Sequence, residues 1–173
     1  DFGEATQDYG RAIVRFTGLP WYRAEPTAGD DTRLLHLGAS ANILYSASSA
    51  IRYRARPESH LAPHVLDTGD IEADESMVVG TEMAWVSGPF SLQGEYLHSW
   101  VRERGGQTIG FDGMYFSASW FLTGEARPYD PVEGMFGRLV PKRAFDFGGH
   151  WGAWEIAARY SYTDLDGGDI RGG

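Results

Sequence analysis

The chain has 173 residues, enough for one domain with a sizeable core, and 24 acidic side chains against 15 Lys and Arg give a formal charge of −9. That balance excludes a general nucleic-acid binder, which needs a basic footprint. The lack of cysteine excludes a disulfide scaffold and a thiolate metal site. No apolar run approaches the roughly 18 residues of a membrane-crossing helix, which leaves membrane-crossing strands untouched.

No helical period is sustained, and the 23 glycines are scattered through the apolar stretches, where they oppose helices. Period-two alternation recurs instead. From Arg11 to Thr17, Ala12, Val14 and Phe16 alternate with Arg11, Ile13, Arg15 and Thr17. From Leu35 to Ile43, Leu35, Leu37, Ala39, Ala41 and Ile43 oppose His36, Gly38, Ser40 and Asn42. Val79, Thr81, Met83 and Trp85 oppose Gly80, Glu82 and Ala84. Ser87-Gly88-Pro89 is a tight-turn signal, and beyond it Phe90, Leu92, Gly94, Tyr96, His98 and Trp100 oppose Ser91, Gln93, Glu95, Leu97 and Ser99. Arg104-Gly105-Gly106-Gln107 leads to a fifth run, with Met114, Phe116, Ala118, Trp120 and Leu122 against Gly113, Tyr115, Ser117, Ser119 and Phe121. The last is the clearest: Trp154, Ile156, Ala158, Tyr160 and Tyr162 against Glu155, Ala157, Arg159, Ser161 and Thr163.

Successive side chains of a strand point to opposite faces. Six such runs joined by turns predict an all-β, antiparallel meander. The stretches 19–32, 57–75 and 123–150, rich in Pro, Gly and charge, read as long loops, which in a compact domain are usually functional. In a soluble sheet the apolar faces would cover a core, as in a β-sandwich carbohydrate-binding module. In a transmembrane barrel they would meet lipid, and the polar faces would line water. Trp21, Tyr22, Trp85, Trp100, Trp120, Trp151 and Trp154 lie near run ends, where a barrel places an aromatic girdle and a sandwich does not. The chain opens at Asp1 and stops at Arg171-Gly172-Gly173 in what reads as a loop. It is therefore expected to be a single segment, 1–173, of a longer barrel, incomplete at both ends.

Chemistry concentrates in arginines. If the segment is extended, Arg52, Arg54 and Arg56 share one face, with Tyr53 and Ala55 on the other. Such a row lines an anion path if it faces a pore, or keeps a loop before Pro57 soluble if it does not. Arg11, Arg15 and Arg159 fall on polar faces with Glu82, Glu95 and Glu155. A lateral charge lattice between strands is one reading and solute contact another, with a glycosidase-type carboxylate pair a third. Arg127, Arg138, Lys142 and Arg143 are either a basic patch or ordinary loop charges. His36, His60, His64, His98 and His150 show no metal-ligand spacing, and Pro63 disfavours a helix joining His60 to His64. The acidic run Asp67, Asp70, Glu72, Asp74 and Glu75 lacks the EF-hand register. No phosphate loop, dinucleotide fingerprint or nucleophile elbow is present, so neither catalysis nor a cofactor is expected.

Several of these segments resemble the phosphate-selective porin O and P family of Gram-negative outer membranes. They are Leu34-Leu35-His36-Leu37-Gly38, Arg52-Tyr53-Arg54-Ala55-Arg56-Pro57-Glu58, Gly88-Pro89-Phe90-Ser91-Leu92-Gln93-Gly94-Glu95-Tyr96 and Ala118-Ser119-Trp120-Phe121-Leu122-Thr123-Gly124-Glu125 with Arg127 and Tyr129. Gly152-Ala153-Trp154-Glu155-Ile156-Ala157-Ala158-Arg159-Tyr160-Ser161, running on through Asp164-Leu165 to Gly172-Gly173, is similar again. The matches run in order from about 30 to 173. The resemblance implies a sixteen-stranded homotrimeric barrel in the bacterial outer membrane, bounded by lipid and lipopolysaccharide, of which this chain is part of the C-terminal half. It implies passive passage of inorganic anions such as phosphate along a ladder of lumen arginines, whose chemistry Arg52, Arg54 and Arg56 match, with Arg11, Arg15 and Arg159 also lining the pore.

Overall fold

The computed structural model describes residues 2–5, 9–23, 32–46, 50–59 and 61–172. The strands are β1 (Phe2–Ala5), β2 (Tyr9–Arg23), β3 (Arg33–Ser46), β4 (Ala50–Ala55), β5 (Leu66–Asp67) and β6 (Ile71–Ser87). They continue with β7 (Phe90–Glu103), β8 (Thr108–Phe121), β9 (Tyr129–Asp130), β10 (Met135–Phe136) and β11 (Glu155–Asp164). Among the described residues there is no helix. Six long strands form one antiparallel wall in the order β2-β3-β6-β7-β8-β11, so each alternating run of the sequence is a strand. Gly88, at φ 56°, closes the β6–β7 hairpin in the left-handed conformation that glycine adopts most readily.

Two expected loops are shorter than the composition predicts. The stretch 19–32 begins inside β2, which runs on to Arg23. Between Gly18 and Trp21 the register slips, and Leu19 and Pro20 together oppose His36. Pro20 therefore sits in a bulge, where its missing N–H breaks no ladder bond. At the other site β6 starts at Ile71, so the acidic residues 72–75 belong to a strand. Their charge is balanced locally by arginines: Arg104 Nε lies 3.4 Å from Asp74 Oδ1, and Arg102 lies 3.5 Å from Glu75 Oε2.

The wall's apolar face remains exposed, with Leu37, Met83, Tyr96, Phe116, Ile156 and Tyr160 all on it. Trp21, Trp85, Phe90, Trp120 and Trp154 gather toward one end, along the registers Trp21–Leu35–Trp85–Leu92 and Phe90–Trp120–Ile156. The Phe90 and Trp120 rings stack at 5.3 Å. Trp100 lies toward the other end, paired with Met77 and Gly110. Tyr22 departs from the girdle. The bulge turns it to the opposite face, beside Leu34 and 6.5 Å from the ring of Tyr129.

That opposite, polar face is covered by two segments that leave the wall and fold back over it. The first carries β4, which pairs with β1, with β5 and, through Ala50 and Ile51, with the start of β6. Ile51 and Tyr53 point down onto the wall, 0% and 1% exposed. They join Ile71, Ala73, Val101, Ile109, Phe111 and Leu165 in the main core. The second is the long connection from β8 to β11, whose β9–β10 hairpin rests near Arg15, Thr17 and His36. A β-sandwich would bury the apolar face; here that face is open and the core lies on the other side, beneath β4.

Candidate functional site: an arginine-lined face under two in-folded segments

Period two decides what β4 presents. With Ile51 and Tyr53 buried, Arg52 and Arg54 are turned away from the wall. The Tyr53 hydroxyl fixes the strand in place, 2.6 Å from Ser76 Oγ on β6 and 2.7 Å from Ser99 Oγ on β7. Its ring packs 5.2 Å from that of Phe111. The backbone is held as well: Tyr53 N–H donates to Thr68 Oγ1 at 3.0 Å, Thr68 N–H to Tyr53 O at 3.0 Å, and Val65 N–H to Ala55 O at 2.9 Å.

Arg52 forms a two-pronged pair with Asp67, from Nε at 2.7 Å and from its terminal nitrogen at 2.5 Å, with Asp70 3.7 Å away. The Arg52 guanidinium and the Gly69 N–H hold the Asp67 carboxyl well below the usual carboxylate range. Asp67, Asp70, Asp74 and Glu75 thus neutralise arginines. Among the described residues no group of three or more His, Asp or Glu is placed to hold a metal ion.

Arg54 and Arg56 line a cavity of about 440 Å³ together with Glu58, His64 and Arg159. Arg159 reaches it from β11, lying 3.6 Å above the centre of the Tyr115 ring, with Nε 3.1 Å from Ser161 Oγ and 2.9 Å from Glu58 Oε2. Ser161 donates to the other oxygen of Glu58. That hydroxyl, with the Arg159 guanidinium, keeps the Glu58 carboxyl below its ordinary pKa. The His64 imidazole is pushed down, first by lost hydration and then by the charges of Arg56 and Arg54.

Arg15 and Arg11 stand further across the same face. Arg11 Nε donates to Asn42 Oδ1 at 3.0 Å. Arg15 donates twice to Glu82 Oε1, at 3.1 and 2.6 Å, and to the carbonyl of Gly134 at 3.3 Å. Glu82 crosses β3 at Gly38 to make this contact; a Cβ at Gly38 would lie 2.5 Å from Glu82 Cγ, so only glycine leaves it room. His36 completes the group with Nε2 2.8 Å from Glu82 Oε1 and Nδ1 2.5 Å from the Tyr129 hydroxyl. Both ring nitrogens are satisfied when Nε2–H donates to Glu82 and the phenol donates to Nδ1. Glu82 therefore takes part in a charge lattice, and that lattice also docks the β9–β10 hairpin.

Arg15, His36, Gln93, Glu95, Arg127 and Tyr129 surround a second cavity of about 310 Å³. A third, of about 300 Å³, lies among Ser91, Ser117, Arg127, Glu155 and Arg159. Arg127 is common to the second and third cavities, and Arg159 to the third and first. The arginines thus follow one another across the covered face, from Arg15 through Arg127 and Arg159 to Arg56 and Arg54.

The sequence pointed to Arg52, Arg54, Arg56, Arg11, Arg15 and Arg159, but Arg127 was not separable from its loop neighbours. Those neighbours are dispersed. Lys142 donates to the Gly124 carbonyl at 3.0 Å, Arg143 meets His150 at 3.3 Å, and Arg138 is exposed. Arg127 reaches the wall, 3.4 Å from Gln93 Oε1, and lies 4.8 Å from the centre of the Phe136 ring. A local signal existed: Asp130 accepts from Val132 N–H at 2.8 Å and from Glu133 N–H at 3.1 Å, the turn that Asp-Pro-x-x-Gly favours, with Gly134 at φ 65°. Of the histidines, His98 pairs with Asp112 at 2.7 Å on the apolar face and His150 with Asp146 at 2.6 Å in the connection to β11. His60 lies outside the described residues.

The family model for phosphate-selective porin O and P matches residues 25–173. The chain belongs to that family. The chain is similar to an uncharacterized protein of Caulobacter vibrioides, 33% identical over 143 residues, which is 80% of this chain and 28% of that protein. It is also similar to Porin O of Pseudomonas aeruginosa, 32% identical over 94 residues, 53% of this chain and 20% of Porin O. The chain thus spans under a third of the length of either relative.

Proposed function

We propose that the chain forms part of the wall and constriction of a bacterial outer-membrane porin through which small hydrophilic anions, phosphate among them, diffuse passively. The exposed aromatic face is the side that meets lipid, and the face covered by β4 and the β9–β10 hairpin is the side that meets water. The observation that carries this reading is the succession of three cavities linked by Arg127 and Arg159 and ending at Arg54 and Arg56. Guanidiniums two residues apart on a strand are separated by about 7 Å. Their mutual repulsion is about 0.6 kcal/mol in water and about 2.4 kcal/mol at an effective dielectric of 20. An anion passing between them relieves that repulsion at each step, so its path is a series of shallow wells. The acidic overall charge does not oppose this, because an ion in a narrow path responds to the local field.

The test is single-channel recording of the intact protein in a planar bilayer, with the reversal potential measured under a chloride gradient. Anion-selective current, blocked by added phosphate and less blocked when Arg52, Arg54 and Arg56 are all changed to Ala, is the expected result. Absence of conductance from a protein that stays soluble without detergent would overturn the reading.

A further inference from the structure

The cavity beneath Arg54 and Arg56 contains its own anion. Among its described lining residues Glu58 is the single carboxylate, facing Arg54, Arg56, His64 and Arg159. It belongs to the same strap as the arginines, one residue beyond Arg56-Pro57, and it reaches across to Arg159 on the wall. Resting on the anion-porin reading above, we propose that Glu58 is a tethered competitor in this site. Its carboxylate occupies Arg159 when the cavity holds no anion, gives way to an arriving oxyanion, and returns to displace it.

Three features support the exchange. The pair is open to water, with side chains 42% and 58% exposed, and exposed pairs are weak enough to be broken by a competing ion. The ligands that Glu58 uses are those a tetrahedral oxyanion would use: the Arg159 guanidinium and the Ser161 hydroxyl, both donors. The cavity, at about 440 Å³, leaves room for an oxyanion with several waters while Glu58 remains on its strap. Arg159 does not collapse when Glu58 leaves, because its guanidinium stays stacked on Tyr115. A pore needs sites that an ion enters readily and also leaves. A carboxylate that competes for the same donors lowers the apparent affinity by the fraction of time it holds them, and so shortens each stay.

The decisive variant is Glu58→Gln, an isostere that keeps hydrogen bonding and removes the charge. In single-channel recordings of the intact protein with inorganic phosphate, E58Q should lower the half-blocking concentration about three- to fivefold. Blocked intervals should lengthen in proportion. In an Arg159→Ala background the E58Q change should vanish. An unaltered half-blocking concentration in E58Q, or a weaker block, would overturn the proposal, the latter by showing that Glu58 positions Arg159 instead of competing for it. A wild-type protein that carries no anion current would instead remove the porin reading on which the proposal rests.

Discussion

Tyr53→Phe isolates what holds the arginine-bearing strand in place. The substitution removes one oxygen and leaves the ring contact with Phe111 intact. The lost hydroxyl is bonded to Ser76 and Ser99, which are 3% and 0% exposed, so both serines lose a partner where water does not replace it. Leaving a buried hydroxyl unsatisfied costs about 1–3 kcal/mol, and about 2 kcal/mol is a reasonable value for the pair. That corresponds to about a 30-fold rise in the population in which β4 is lifted from the wall. Amide hydrogen exchange reads this population directly. The amides of Tyr53, Val65 and Thr68, whose bonds clasp β4, should exchange about 30-fold faster in Y53F, while amides of the β7–β8 pairing should not change. Removing all three hydroxyls with Tyr53→Phe, Ser76→Ala and Ser99→Ala should restore much of the protection, because no polar group is then stranded. Exchange of the three clasping amides within twofold of wild type in Y53F would refute the reasoning.

Gly38→Ala should push Glu82 away from Arg15 and His36, costing about 1–2 kcal/mol; the denaturation midpoint in detergent should fall, and an unchanged midpoint would show that Glu82 has another route. Tyr129→Phe removes the phenol from His36 and should loosen the β9–β10 hairpin by about 1 kcal/mol. Limited proteolysis between residues 130 and 135 would then be faster, whereas cleavage at the wild-type rate would count against docking through His36. Arg56→Ala should raise the pKa of His64 part of the way toward 6.5, since lost hydration, the largest cause of its depression, persists together with Arg54. Proton NMR titration of the imidazole reads this, and no upward movement would mean that Arg56 does not face it. Because the folded pKa is the lower one, His64 contributes nothing above its unfolded value. It opposes the folded state as pH falls through that value and then through the folded one, so R56A should lessen acid sensitivity there.

The wall was legible because each strand carries its environment in alternate letters. Phe90 to Trp100 and Trp154 to Thr163 show one oily and one polar side with hardly an exception, and a strand's period is fixed by geometry. The in-folded segments were less legible. Arg52-Tyr53-Arg54-Ala55-Arg56 shows period two, but only Ser76 and Ser99, 23 and 46 residues away, explain why Tyr53 is buried and the arginines are turned outward. Arg127 was obscured for the same reason: its partner Gln93 is 34 residues distant. The residues 72–75 misled in the opposite sense, because acidity suggested a solvated loop while Arg102 on the neighbouring strand and Arg104 just beyond its end balance the charge of a strand there. In each case the deciding contact joins residues far apart in the chain, which local pattern does not encode.

The division of labour within β4 has a consequence for behaviour in salt. Its attachment to the wall is through neutral hydroxyls and apolar packing, whereas its outward side is charged. At 1 M salt the screening length falls to about 3 Å, so the field of Arg54 and Arg56 fades within a hydration layer. The hydroxyl contacts and buried side chains are untouched by the same change. On the porin reading proposed above, an aperture bounded by β4 would keep its width while its preference for one sign of charge is dialled down, so ionic strength would separate a size filter from a charge filter.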